Sequence, residues 1–71
     1  MKTEIDIFHV GDRVFNISTG ALFNVTGIHT LGYDLIDEYG FNQGYILRSY
    51  EYRFITVIDD KHLLELRLKY V

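Results

Sequence analysis

The residues of this chain that could do chemistry at a surface are concentrated between Tyr45 and Phe54. Arginines and tyrosines are interleaved there, at Arg48, Tyr50, Tyr52 and Arg53. Such a mixture can stack bases and hold phosphates, as in proteins that bind single-stranded nucleic acids. It is also typical of protein interfaces, where Tyr and Arg are enriched as anchors. The same rings could instead pack the core and edges of a small domain.

Acidic residues that precede this segment offer a complementary charge. Residues 1–40 carry six carboxylates and two cations, whereas residues 41–71 carry five cations and four carboxylates. We therefore expect one acidic surface and one mildly basic surface. The predicted partner-binding residues are the anchors Arg48, Tyr50, Tyr52 and Arg53, together with the acidic residues Asp34, Asp37 and Glu38.

Catalytic and metal chemistry are not expected. The three histidines, His9, His29 and His62, are not spaced as metal ligands, and the chain has no cysteine. No serine or threonine belongs to a nucleophile motif. The loop at residues 40–44 lacks the lysine and the following helix that a phosphate-binding loop needs. The sequence therefore predicts a protein that is not an enzyme and has no metal or cofactor.

Length and composition predict a single domain, residues 1–71, with an aromatic-rich core. The chain has six Tyr, five Phe and no Cys, so disulfides cannot supplement its packing. It has no apolar run long enough to span a membrane, and its polar start is not a signal peptide, so a cytoplasmic location is expected. The net charge of −3 disfavours attraction to nucleic acids or membranes.

Short β-strands are predicted to position these residues. Two strands, at about residues 13–18 and 21–30, fold back on a turn at Ser18-Thr19-Gly20, and Gly27 predicts a bulge in the second. Three further strands are expected, at residues 33–38, from about Gly44 onward, and at residues 54–58. Glycine and aspartate residues supply the turns between them.

Both ends of the chain are also predicted to be strands. Residues 3–7 alternate polar and apolar side chains, and residues 64–70 alternate strictly over seven positions. The high helix propensity of leucine makes a helix the lesser alternative for the second segment. The two ends could pair with each other, with Ile5 and Ile7 beside Leu66 and Leu68. An uncovered Leu64–Tyr70 edge could instead join two molecules as a homo-oligomer.

The order of these segments resembles a small SH3-like β-barrel. The resemblance covers about residues 8–58 and is carried by GDRV, TG, a strand ending VTGI, YDLIDEYG and ILRSYE. In style it is similar to KOW-type and Tudor-type barrels and to short barrel proteins of bacteriophages and bacterial mobile elements. The expected fold is all-β, a barrel of five to seven short antiparallel strands with residues 64–70 as an added strand.

A protein is the expected partner, and the chain is interpreted as a non-catalytic protein-interaction module. The resemblance implies one form of this function, in which a phage or mobile-element protein modulates a host protein. The first alternative is a nucleic-acid-binding module that uses the same Arg/Tyr surface. The second alternative is a structural homo-oligomer joined through the C-terminal strand.

Overall fold

Five antiparallel strands form one sheet. A computed structural model describes residues 7–41 and 43–70. The strands are β1 (Arg13–Asn16), β2 (Leu22–Ile28), β3 (Gly32–Asp37), β4 (Gln43–Leu47) and β5 (Phe54–Val57). Their order is β4-β3-β2-β1-β5, and each neighbouring pair is antiparallel. Within the described residues β4 and β5 are unpaired edges, so the sheet does not close.

Two helical segments complete the described chain. A 3-10 helix, Arg48–Arg53, connects the two edge strands β4 and β5. An α-helix, α1 (Asp60–Tyr70), follows β5. The structure is therefore mostly β, and the prediction of an all-β fold is correct for the sheet but not for the C-terminal segment.

The β1–β2 turn forms where its turn residues predicted it. Asn16 Oδ1 accepts the N–H groups of Ser18 and Thr19 at 2.8 and 3.3 Å, and the Gly20 N–H donates to the Asn16 carbonyl at 2.7 Å. Gly20 has a φ of +77°, which glycine adopts without a steric penalty. The bulge predicted at Gly27 is also confirmed, because the β2–β3 register shifts between Val25 and Gly27.

The downstream strands also agree with the sequence interpretation. The segments predicted at 33–38, from Gly44 and at 54–58 correspond to β3, β4 and β5. The turn between β3 and β4 contains Gly40 with a φ of +78°. Of the strand predicted at residues 3–7, residues 3–6 lie outside the described residues and Ile7 lies in a bend.

The C-terminal strand prediction is wrong, because residues 64–70 belong to α1. Asp59 caps this helix, since its Oδ1 accepts the His62 N–H at 2.8 Å. Leu66 is buried against the sheet, whereas Leu64 and Leu68 are 58% and 77% exposed. The alternating leucines therefore lie on two faces of a helix. Because residues 64–70 are helical, they cannot form the predicted strand pair with the N-terminal segment. For the same reason they cannot join two molecules as an edge strand.

The core consists of two clusters on opposite faces of the sheet. Strand alternation sends Val14 to one face and Phe15 to the other, and both are fully buried. The first cluster contains Phe8, Val14, Val25, Tyr33, Leu35 and Ile46. The second cluster contains Phe15, Leu22, Val57, Leu63 and Leu66, so α1 covers this face. Packing on both faces gives the sheet the burial that a chain of this length needs.

The helix assignment predicts unequal effects of leucine truncation in α1. Leu66→Ala should lower the free energy of unfolding by about 2–5 kcal/mol, because it leaves a cavity in the second cluster. Leu68→Ala should change it by less than about 0.5 kcal/mol, because that side chain faces solvent. Urea unfolding of both variants measures the two effects. In a strand, residues 66 and 68 would share one face, so equal losses would contradict the helix.

Two glycines of the sheet provide a second matched comparison. A Cβ at Gly32 would collide with the Ile46 carbonyl oxygen and lie 2.9 Å from Tyr45 Cζ, whereas a Cβ at Gly44 would meet Leu35 Cβ at 4.0 Å. Gly32→Ala should therefore lower the free energy of unfolding by about 2 kcal/mol or more, since backbone must move. Gly44→Ala should change it by less than about 1 kcal/mol. If the two variants lost similar amounts of stability in thermal unfolding, β3 and β4 would not be packed as closely at Gly32 as the structure shows.

Candidate functional site

The predicted Arg/Tyr segment forms β4 and the 3-10 helix that follows it. The chain enters the helix from Leu47 in an extended conformation, and the Phe54 N–H bonds to the Glu51 carbonyl where the helix ends. Side chains three residues apart lie above one another in a 3-10 helix. Arg48 and Glu51 therefore share one side, and Tyr50 and Arg53 share another. Tyr52 belongs to neither side by this spacing, but its ring lies beside Arg53, so the predicted anchors form two groups.

Arg48 faces the sheet and fastens the loop between β2 and β3. Its Nε donates to the Thr30 carbonyl and its Nη2 to the His29 carbonyl, both at 2.8 Å. Its Nη1 donates to the Tyr33 hydroxyl at 3.0 Å, and the guanidinium carbon lies 4.9 Å from the Tyr33 ring centroid. All three guanidinium nitrogens thus bond within the chain, which gives Arg48 a structural role.

Tyr33 lies at the centre of this arrangement and is fully buried. Its hydroxyl donates to Glu51 Oε2 at 3.0 Å, and its ring packs edge-on against Phe8 with centroids 5.1 Å apart. Burial raises the pKa of Tyr33, and the hydrogen bond to Glu51 and the charge of that carboxylate raise it further. We call Tyr33, Arg48 and Glu51 the buried tyrosine network. It holds the 3-10 helix against the sheet.

The opposite side of the 3-10 helix carries an exposed cluster. The Arg53 guanidinium carbon lies 5.1 Å from the Tyr50 ring centroid and 5.6 Å from that of Tyr52, within the range of cation–π attraction. Arg53 Nε also donates to the Tyr52 hydroxyl at 3.3 Å. Tyr50 and Tyr52 are 45% and 66% exposed. We call Tyr50, Tyr52 and Arg53 the tyrosine–arginine cluster.

The three predicted acidic residues occupy separate positions. Asp34 Oδ2 on β3 lies 2.6 Å from His29 Nε2. Asp37 Oδ1 accepts the N–H groups of Tyr39 and Phe41 at 3.1 and 2.9 Å, which closes the β3–β4 turn. Glu38 pairs with Arg67 of α1 at 3.8 Å. The fold thus gives each carboxylate a local partner, and their contact with another molecule stays a prediction.

The structure also contains a small polar depression beside β3 and β4 that the sequence did not predict. It has a volume of about 170 Å³ and is lined by Thr26, Asp34, Leu35, Gln43 and Gly44. Small-molecule sites are typically about 300–1,000 Å³, so the depression is small for a cofactor. His29 and Tyr45 lie next to Asp34, with their ring centroids 6.1 Å apart. The pairing of β3 with both β2 and β4 brings these groups together, so no local motif could reveal them.

Within residues 7–41 and 43–70, no three His, Cys, Asp or Glu side chains are grouped to hold a metal ion. In the same residues no helix is both long and apolar enough to cross a membrane. No protein-family model, curated protein or solved structure matches the chain. The tyrosine–arginine cluster is therefore the feature of the described residues from which a function can be inferred.

The buried tyrosine network predicts a pH-dependent stability. Tyr33→Phe should lower the free energy of unfolding at neutral pH by about 1–3 kcal/mol, because Glu51 and Arg48 lose their shared partner. Since the folded-state pKa of Tyr33 is raised, the hydroxyl's contribution is complete below the ordinary value of 10.0 and is lost as the pH rises through the folded value. The difference between wild type and Tyr33→Phe should therefore shrink above pH 10.0.

Denaturant unfolding from neutral to alkaline pH measures this difference. Tyr39→Phe, at a position that is 73% exposed, is the matched control and should match the wild type at neutral pH. A stability difference between wild type and Tyr33→Phe that stays constant well above pH 10.0 would contradict the proposed titration.

Proposed function

We propose that this chain is a non-catalytic protein-interaction module on a small SH3-like barrel, and that the tyrosine–arginine cluster is its contact surface. The barrel is supported by the order of the five antiparallel strands and by the short 3-10 connection between the two edge strands. The form in which the partner is a host protein and this chain comes from a phage or mobile element rests on the sequence resemblance alone.

The observation that carries the proposal is that the Arg53 guanidinium lies within cation–π distance of two exposed tyrosine rings. No carboxylate within the described residues pairs with Arg53, so its Nη1 and Nη2 atoms are available to an incoming group. The rings hold the guanidinium before a partner arrives. Ordering a long side chain costs about 0.5–1.5 kcal/mol on binding, and pre-ordering lowers that cost. Tyr and Arg in this arrangement are the residue types that dominate binding energies at protein interfaces.

The distribution of the other cations supports a protein partner over a nucleic acid. Arg48 belongs to the buried tyrosine network, Arg13 pairs with Asp60 at 3.3 Å and Arg67 pairs with Glu38. Binding to a phosphate backbone depends on neutralising several phosphates with free cations. The tyrosine–arginine cluster itself contributes one guanidinium, and on a chain with a net charge of −3 that is a weak basis for this mode.

Affinity capture from an extract of native cells, followed by binding measurements with the purified captured protein, tests the proposal. The Tyr50→Ala/Arg53→Ala variant should bind that protein at least about tenfold more weakly than wild type, as expected for interface anchors. The matched control is Tyr39→Ala/Lys61→Ala, which also removes one exposed tyrosine and one exposed cation but lies outside the cluster. It should bind like wild type.

Labelled single- and double-stranded oligonucleotides form the second arm of the experiment. Micromolar binding that weakens steeply with salt and is lost in Tyr50→Ala/Arg53→Ala would favour the nucleic-acid alternative. A captured protein that binds the cluster variant as tightly as wild type would exclude the tyrosine–arginine cluster as the contact surface.

A further inference from the structure

The open side of β4 can be identified from one hydrogen bond. The Arg48 N–H donates to the Leu31 carbonyl at 2.9 Å, directly beyond the paired residues Gly32 and Leu47. Hydrogen-bonded and non-hydrogen-bonded pairs alternate along an antiparallel ladder. Ile46 and Gly44 therefore bond to β3, whereas Gln43, Tyr45 and Leu47 direct their N–H and C=O groups away from it. No other strand of residues 7–41 and 43–70 pairs with that side.

The other edge of the sheet is largely capped by its own chain. The Ile17 N–H donates to the Arg53 carbonyl at 3.0 Å, so the same alternation turns Phe54, Thr56 and Ile58 outward on the β5 side. The Phe54 N–H donates to the Glu51 carbonyl, and the Ile58 N–H donates to His62 Nδ1 at 3.0 Å. Two of the three outward donors on this edge thus have partners. The β4 edge is the one that can accept another strand.

The β4 edge also lacks the features that usually prevent strand addition. Natural edge strands are protected by charged side chains, proline or bulges. Gln43–Leu47 contains no charged residue and no proline, and its pairing with β3 runs without a register shift. Tyr45 and Leu47 are 49% and 45% exposed on one face of this strand. A second strand would cover both side chains.

We propose that β4 pairs antiparallel with β4 of a second copy of this chain, around a two-fold axis at Tyr45. In that register Tyr45 faces Tyr45 of the second copy, and Gln43 faces its Leu47. Both backbone groups of all three outward residues then find partners. The contact is isologous, as in most homodimers. The continuous sheet would have ten strands, the sum of the five in each copy.

The side chains favour a second copy as the occupant. Because β4 is uncharged, pairing with itself places no like charges opposite each other. Ile46 is buried in the first core cluster and faces Gly44 of the second copy, which has no side chain to clash with it. The two Tyr45 rings form an adjacent aromatic cross-strand pair, one of the favourable types. The proposed contact between two copies is thus β4 and not the C-terminal segment that the sequence suggested.

Proline at position 47 tests the proposed pairing without breaking the ladder to β3. Leu47 has a φ of −71°, which matches the fixed φ of proline, and its N–H points to the open side. Leu47→Pro should therefore fold like wild type but weaken dimerisation about tenfold or more, because each copy loses a hydrogen bond and gains a ring in the contact. Leu47→Ala keeps the N–H and is the matched control, and it should still dimerise.

Charged pairs test the register independently of proline. Since Gln43 faces Leu47 of the second copy, Gln43→Lys/Leu47→Lys should weaken the dimer. Gln43→Glu/Leu47→Lys should bind more tightly than that like-charge variant, by about twofold to about 30-fold if each of the two cross-strand pairs has the usual strength. Circular dichroism and thermal unfolding confirm that each variant folds.

Sedimentation equilibrium across concentrations up to about 1 mM measures the dimer constant. Salt at about 0.15 M screens the repulsion between two acidic chains. The proposal expects a concentration-dependent wild-type dimer, an unchanged Tyr50→Ala/Arg53→Ala dimer and a weakened Leu47→Pro dimer. A strict wild-type monomer would overturn it and would leave the β4 edge to a strand from another protein. A dimer that Leu47→Pro does not weaken would overturn it as well, because the contact would lie elsewhere.

Discussion

The buried phenolic hydroxyl of Tyr33, on β3, constrains the rest of this fold. The Tyr33 ring is fully buried, and a buried hydroxyl without partners would be strongly destabilising. The 3-10 helix supplies two of its partners from one turn, a donor from Arg48 and an acceptor from Glu51. Satisfying this hydroxyl therefore fixes the helix against the sheet. The rotation that turns Arg48 and Glu51 inward also turns Tyr50 and Arg53 outward, so the exposed cluster depends on a buried hydrogen bond.

The sheet itself is organised around β1, whose two central residues are fully buried. β1 pairs with β2 on one side and β5 on the other, and its adjacent residues Val14 and Phe15 each anchor one of the two core clusters. Without disulfides, a chain of 71 residues must obtain its stability from such two-sided packing. The helix α1 completes the second side, and the pairs Arg13–Asp60 and Glu38–Arg67 connect it to β1 and to the residue that follows β3.

Local chemistry predicted the strands and turns well, since Gly20, Gly27 and Gly40 lie where the backbone needs them. It failed at residues 64–70, where alternation was given more weight than helix propensity. The contrary signals were the Asp59 cap and the spacing of Leu63 and Leu66, which lie three residues apart on one helix face. The leucines of this C-terminal segment fit either the strand or the helix periodicity, so tertiary packing decides which conformation it adopts. Here the second core cluster needs a helix to cover Phe15 and Val57.

The residues of the candidate site could be predicted from the sequence. Which of them serve stability and which are exposed for contact could not. Arg48 and Arg53 belong to one short segment of the chain, and their positions relative to Tyr33 in space separate their roles. The guanidinium that reaches Tyr33 uses its nitrogens inside the molecule, so it contributes to stability. The other, five residues later and on a different side of the helix, lies beside two tyrosine rings and donates to the Tyr52 hydroxyl, and it is the residue for which we propose contact with a partner. Because loss of Arg48 would release the 3-10 helix that displays Arg53, the proposed binding surface depends on the same short segment that stabilises the fold, although different residues would carry the two roles.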